Sequence, residues 1–349
     1  MTDMRNYGIS YDTGITADGN CTRKRFDDQV VQRELQIIAS DLHATAVRLT
    51  GDDPQRLARA GEHALAAGLE LWFSPVPCNL DPGALPGYFA RCAREAERLR
   101  RAHEGRVVLV LGCEISLWCA GFFPGDSVLG RIATVTDPAL LRKRDTMAAL
   151  ASGLERAKRA HRDIVHAARE EFAGPVTYAA GPWEDVDWEL FDLVSVDAYR
   201  DAGNAAGYRD TLRAYRRFGK PVAVTEFGCC TYRGAAGRGG MGWMIVDEKA
   251  DPPVIPGTYE RDEEEQVRHL RDMLAVYEAE DIDSAFWFSF AGFEHPRHPT
   301  DPHRDLDLAS YGVVAVLEHE RGTTYPDMAW EPKQVFGALA AAYARARRP

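Results

Sequence analysis

Short runs of β-branched, aromatic and small apolar residues recur along the chain. Each is followed by a longer stretch in which apolar residues return every three or four positions. The first kind of run reads as buried strand and the second as amphipathic helix. Eight strands are predicted: Asn6 to Tyr11, Thr45 to Leu49, Glu70 to Phe73, Val107 to Leu111, Val176 to Ala179, Leu193 to Val196, Val222 to Thr225, and Ala285 to Phe290. Helical stretches lie between them at Asp27–Ser40, Pro54–Ala67, Pro82–Arg101, Asn204–Phe218 and Asp262–Glu280, and Pro332–Ala346 follows the eighth strand. Asp-Pro or Asp-Asp pairs ahead of several helices suit a cap and first turn, and Gly-Leu, Gly-Lys-Pro or Gly-Pro ahead of several strands suit a helix stop. The segment from Pro138 to Phe172 is too long for one ordinary helix, so a break is expected near Ser152-Gly153. The connection around Trp183 to Glu189 leaves room for a single turn.

Eight strand-then-helix units place the chain in the α/β class, as a single (β/α)8 TIM barrel spanning residues 1–349 in one domain. The competing open doubly wound sheet wants a Gly-rich phosphate loop after its first strand, and Tyr11 to Gly19 contains none. The Gly-rich run Arg233–Gly242 lacks a Lys-Ser/Thr ending and reads as a flexible loop. Three connections are longer than the rest: Ile115–Asp137, Cys229–Glu260 and Ala291–Trp330. They follow strands four, seven and eight, and so fall on the C-terminal face, where barrel enzymes hold their chemistry.

Composition narrows the picture. At about 150 residues per domain, a chain of 349 suggests two domains, but barrels exceed that figure as single units. With 53 acidic against 42 basic side chains the net charge is −11, which removes the basic footprint a nucleic-acid binder needs. No apolar run approaches the roughly 20 residues of a membrane span. The seven cysteines are odd in number and form no Cys-x-x-Cys. The opening residues lack the pattern of a secretory leader. A soluble cytoplasmic protein with reduced thiols is expected; its oligomeric state is left open.

The polar residues that end the strands carry the candidate chemistry. They are Tyr11-Asp12 on the first, Arg48-Leu49-Thr50 on the second, Gly112-Cys113-Glu114 on the fourth, Asp197-Ala198-Tyr199 on the sixth and Thr225-Glu226 on the seventh, with Trp287 and Ser289 in the eighth. Glu114 and Glu226 therefore face one cavity, and burying carboxylates there is costly without a purpose. A glutamate at the end of strand four and another at the end of strand seven resemble clan A of the retaining glycoside hydrolases. Ala46-Val47-Arg48-Leu49, Tyr199, Trp287 and the closing Trp330-Glu331-Pro332-Lys333-Gln334-Val335-Phe336 are similar to features of that clan. The resemblance implies Glu114 as acid/base, Glu226 as nucleophile and Arg48 as the nucleophile's contact. The chain departs from the clan at Cys113, which stands where an Asn binds the sugar 2-hydroxyl. The Tyr-Gly-Ile-Ser-Tyr-Asp opening also resembles an actinobacterial group labelled "abortive infection", which implies phage defence.

The chemistry fits this assignment. A cation at Arg48 favours the charged form of Glu226, and Tyr199 is placed to orient it. The apolar Ile115, Leu117 and Trp118, with a negative neighbour, favour the protonated form of Glu114. Trp287 is expected to floor the sugar site, with Trp183 and Trp243 as further platforms. Asp12 and Asp197 line the cavity or cap neighbouring loops, the capping reading being preferred. His295, His298 and His303, with Asp301 and Asp305, match no metal spacing and read as a solvated loop. No cofactor and no metal are expected, and the expected partner is a small-molecule carbohydrate. The alternative functions are a non-hydrolytic barrel that binds carbohydrate or acts in phage defence, and a barrel transglycosidase or lyase.

Overall fold

The computed structural model describes residues 4–346. Eight parallel strands close into a barrel: β1 (Asn6–Asp12), β2 (Ala46–Gly51), β3 (Glu70–Pro75), β4 (Val107–Cys113), β5 (Val176–Ala180), β6 (Val194–Asp197), β7 (Val222–Phe227) and β8 (Ser284–Trp287). Each pairs with the next in sequence, and β8 closes on β1 with Asn6 opposite Ser284 and Ile9 opposite Trp287. The fold is thus the (β/α)8 barrel that the alternation of runs predicts. The main outer helices are α1 (Asp28–Ser40), α2 (Pro54–Ala66), α3 (Leu85–Ala102), α4 (Arg144–Arg169), α5 (Tyr208–Ala214), α6 (Glu263–Ala279) and α7 (Gln334–Ala346). Between β5 and β6 there is only the 3-10 turn Trp188–Leu190. The caps follow the Asp signals: Asp27 accepts from the amides of Gln29 and Val30, Asp53 from Gln55 and Arg56, and Asp262 from Glu265.

Strand parity divides the core in two. Ala46, Trp72, Val108, Val110, Ala179, Ala223 and Phe286 point inward and fill the barrel, with the Trp72 and Phe286 rings 4.7 Å apart. Their strand neighbours Val47, Leu71, Leu109, Val224 and Trp287 point outward into the larger layer beneath the helices. This plug fills the lower barrel, so the space for chemistry lies above it, at the C-terminal ends of the strands.

Three local expectations are corrected. No break occurs at Ser152-Gly153; the interruption comes earlier, between the short helix Pro138–Leu141 and α4, which runs unbroken through Gly153. A Cβ at Gly153 would collide with the main-chain carbonyl of Phe122, so the glycine permits a close approach. The Gly-rich run is no flexible loop but is wound into 3-10 turns over Ala235–Ile245. It is pinned by Tyr311, whose hydroxyl donates to Gly239 O (2.7 Å) and accepts from Gly242 N (3.0 Å). The eighth strand ends at Trp287 rather than Phe290, after a register shift between Ala285 and Trp287.

The three long connections pack on one another over the barrel mouth. Leu117, Phe123, Val128, Ile132 and Leu150 form one apolar cluster, and Cys229, Cys230, Ile255, Leu306, Leu308 and Tyr311 belong to another. Trp243 touches both, joining the loop after β7 to the loop after β4.

Candidate active site

Irregular strand pairing delivers the polar groups. Between β4 and β5 the register slips between Val110 and Cys113, and between β6 and β7 it slips between Val196 and Asp197. An extra residue in one strand re-aims the side chains that follow it. Cys113 consequently joins Val108 and Val110 in the interior, and Glu226 comes opposite Asp197. Gly112 has a φ of 102°, and a Cβ there would press on Ile115 and Phe89.

Glu114 itself is left-handed, with φ 42° and ψ 47°, a conformation that costs a non-glycine residue unless its surroundings hold it. They do so through Glu184. This carboxylate accepts from Ser116 N (3.1 Å) and Oγ (2.6 Å), from Gly181 N (3.1 Å) and from the Tyr178 hydroxyl (2.7 Å). The Tyr178 oxygen in turn accepts from Ile115 N at 2.7 Å. The one-turn helix Ile115–Trp118 is thereby fixed to β5, and Glu114 with it.

Glu226 is held from two sides. Arg48 Nη1 lies 2.6 Å from its Oε1, and the Tyr199 hydroxyl donates to its Oε2 at 2.9 Å. Arg48 is fully buried and also donates to Ser74 Oγ (3.1 Å) and Thr225 O (3.3 Å). The Cys113 thiol donates to Asp197 Oδ2 at 3.4 Å and makes a longer contact with Glu226 Oε1 at 3.8 Å. Asp197 Oδ1 stands 4.0 Å from Arg48 Nη1.

These environments separate the acids. Burial, then the nearby carboxyls of Asp197, Glu226 and Glu184, push Glu114 well above the usual carboxyl range, against the donor Trp118 Nε1 at 3.3 Å from Oε2. Burial and the charge of Glu226 push Asp197 up to about 8 despite Arg48. Burial keeps the Cys113 thiol protonated. Cys113, Asp197 and Glu226 bring ligating atoms within 4.8 Å of one another, a spacing a metal ion could use. The cation these groups already face is the Arg48 guanidinium.

The structure thus brings Glu114, Glu226, Arg48, Tyr199 and Cys113 together. It does not bring Trp287. That side chain is fully buried on the helix-facing side, where Nε1 donates to Tyr311 O (3.0 Å) and the ring meets Phe227 edge-on at 5.4 Å. Strand parity is the reason: the inward position is its neighbour Phe286, and the next aromatic at the mouth is half-buried Phe288, packed against Tyr199 and Tyr311. Trp243 and Trp118 are half-buried where the loops meet. Trp183 sits at the rim, 40% exposed, with Nε1 donating to Ser116 Oγ at 3.1 Å. Asp12 caps its own turn by accepting from Gly14 N (2.8 Å), and burial, then the charge of Glu294, raises it to about 6.

The histidine loop differs from a solvated one. His295 is buried 3.7 Å from Glu248, His298 accepts from the Asp301 amide, and His303 pairs with Ile255 O at 2.8 Å. The three imidazoles serve separate turns, and Asp305 pairs with Arg261.

No protein-family model matches the chain, and no curated protein matches it. Solved structures do. A GH113 β-1,4-mannanase superposes with a TM-score of 0.60 at 14% identity, over 98% of this chain and 100% of the other. A GH113 β-mannanase from Alicyclobacillus acidocaldarius, in complex with ManMIm, gives 0.59 at 16% identity over 99% and 98%. A β-glycosidase, BGL167, gives 0.52 at 14% identity over 100% and 98%. The chain therefore shares the barrel fold of these glycosidase structures. The phage-defence resemblance has no counterpart among these three.

Sequence reasoning passed over Glu184 and Phe288 and read Asp197 mainly as a cap. Asp197 carried the same signal as Glu114, an acidic residue ending an apolar strand. Glu184 carried none, since it lies on a turn whose closeness to Ser116 is tertiary.

Proposed function

We propose that this chain is a retaining glycoside hydrolase built on a single barrel, with Glu226 as nucleophile and Glu114 as acid/base. The observation that carries the reading is the opposed environment of two carboxyls at one barrel mouth. Glu226 is hydrogen-bonded to a guanidinium and a phenol, as an ionised nucleophile requires. Glu114 is half-buried among other carboxyls, as a proton donor requires.

In this mechanism Glu114 gives its proton to the glycosidic oxygen while a Glu226 oxygen attacks the anomeric carbon, so that the leaving group departs and a glycosyl ester forms. Glu114, now ionised, takes a proton from water as the hydroxyl attacks the same carbon, and Glu226 is released as a carboxylate. Tyr199 and Arg48 hold the Glu226 oxygens so that little reorganises between the steps. Phe288, Trp118 and Trp243 supply the aromatic walls at the mouth. The structural neighbours include enzymes named for β-1,4-mannan, which makes short β-linked hexose oligosaccharides the first substrates to try. No helix among the described residues is long and apolar enough to cross a membrane.

The test is incubation with a panel of 2-deoxy-2-fluoroglycosyl fluorides followed by peptide mass mapping. A sugar ester on Glu226 is expected with one member of the panel. Hydrolysis of a natural glycoside that survives Glu226→Gln undiminished would remove the mechanism.

A further inference from the structure

The site holds a third carboxyl that the two-step scheme does not use. Asp197 ends β6 with its side chain 1% exposed, and its neighbours are all named groups: Arg48 from β2, Cys113 at the end of β4 with Glu114 beyond it, Glu226 from β7, and Tyr199 two residues along its own chain. The Thr225 hydroxyl lies beside it without reaching hydrogen-bond geometry. Among the described residues, Glu226 and Asp197 are the acids within 4.0 Å of the Arg48 guanidinium, whose other contacts are the neutral Ser74 Oγ and Thr225 O. Arg48 Nη2 and Asp197 Oδ1 are both buried and have no hydrogen-bond partner.

This arrangement poses a problem for the proposed reaction. When Glu226 becomes an ester it loses its charge, and a fully buried guanidinium is left without its counter-ion, which is strongly unfavourable. We propose that Asp197 is the substitute counter-ion, a positioning carboxyl that ionises when Glu226 is esterified and is reprotonated when Glu226 is released. The inference rests on the retaining reading above.

The balance is simple. In the resting site Glu226 is the carboxylate facing Arg48, and Asp197 carries a proton because burial and the Glu226 charge oppose its ionisation. Esterification removes that charge while Arg48 remains. The Asp197 proton then passes to water, giving Asp197 carboxylate and hydronium. Hydrolysis restores the Glu226 carboxylate, and Asp197 takes a proton back. The Cys113 thiol, donating to Asp197 Oδ2 in the resting site, can continue to do so when Asp197 is ionised. Its long approach to Glu226 Oε1 links the two carboxyls without adding charge.

The experiment counts protons on trapping. A 2-deoxy-2-fluoroglycosyl fluoride releases fluoride without needing an acid, so Glu114→Gln can be used to silence the proton of Glu114. In that variant, close to one proton per Glu226 adduct is expected in weakly buffered solution near pH 6.5, read with an indicator dye. The release should vanish in Glu114→Gln/Asp197→Asn, and also in the single variant near pH 9.5, where Asp197 is already ionised. The pH dependence alone decides the matter if the double variant does not fold. Adduct formation with no proton release, or with equal release in both variants, overturns the role of Asp197 and leaves the mechanism standing. Absence of any adduct on Glu226 across the panel overturns the retaining reading and this inference together.

Discussion

Trp118 Nε1 donates to Glu114 Oε2 and so favours the ionised form, opposing the burial and the negative neighbours that keep the acid protonated. Trp118→Phe removes the donor and leaves the opposing causes in place. The Glu114 pKa must then rise, and the alkaline limb of kcat/KM for a small glycoside is expected to move to higher pH. A limb that stays fixed would show that the indole does not tune the acid. Glu226→Gln is expected to lower kcat by about 10³-fold or more, by analogy with the loss of other covalent nucleophiles, while thermal unfolding stays cooperative. Five of the residues at this site could be picked from strand ends alone: Glu114, Glu226, Arg48, Tyr199 and Cys113. Trp287 could not be placed correctly, because a shift of one residue in the parity of β8 separates barrel interior from helix-facing core. Glu184 was invisible for another reason: two of its four hydrogen bonds are to Ser116, which comes within reach only once β4 and β5 are paired.

At the scale of elements, glycines and bulges decide what the helical and strand periods cannot. Gly153 looks like a helix breaker in sequence, yet it lies in the middle of α4, facing the Phe122 carbonyl. Arg156, one turn on, donates to Gly121 O (2.9 Å) and Phe122 O (2.8 Å), so the loop after β4 is seated on this stretch of helix. Gly153→Ala would gain helix propensity of about 1 kcal/mol. The clash with a main-chain carbonyl outweighs it, and a net loss of roughly 1–3 kcal/mol is expected from overpacking. Chemical denaturation measures this, and a more stable variant would contradict the seating. Because the loop begins at Glu114, catalytic turnover should fall as well. The two register slips that aim Cys113 and Glu226 belong to the same category. Alternation of apolar residues marks the strands, but nothing in Val107–Cys113 or Val222–Phe227 announces which residue is the extra one.

Across the whole molecule, buried neutral histidines contribute to the response to acid. His161 on α4 is buried, with its ring 4.3 Å from that of Tyr178, and neither nitrogen has a hydrogen-bond partner. Burial lowers its pKa to about 3, and burial together with Arg200 lowers His269 on α6 to about 4. The unfolded chain takes up these protons below about pH 6.5, while the folded chain refuses them until about 3 or 4. Their contribution to stability is therefore whole above pH 6.5 and is lost as the pH falls through that window. His161→Phe should flatten the loss, on the order of a few kcal/mol by pH 4, as followed by denaturant unfolding at pH 7 and pH 4. An unchanged pH slope would place the acid-sensitive groups elsewhere.

The sequence by itself determined the eight strand-and-helix units, their closure into one barrel architecture and the face on which the long loops gather, because those follow from periodicity, caps and length, which are local. It also determined which charged residues end strands. What only the tertiary structure decided is which of those ends converge and in what electrical state. Arg48 comes from a strand far along the chain from those of Asp197 and Glu226, and the protonation of the two acids depends on burial and mutual distance, neither of which exists until the barrel closes. The exchange of Trp287 for Phe288 at the mouth, the anchoring of Glu114 through Glu184 and the third carboxyl beside Arg48 all arise in that closure.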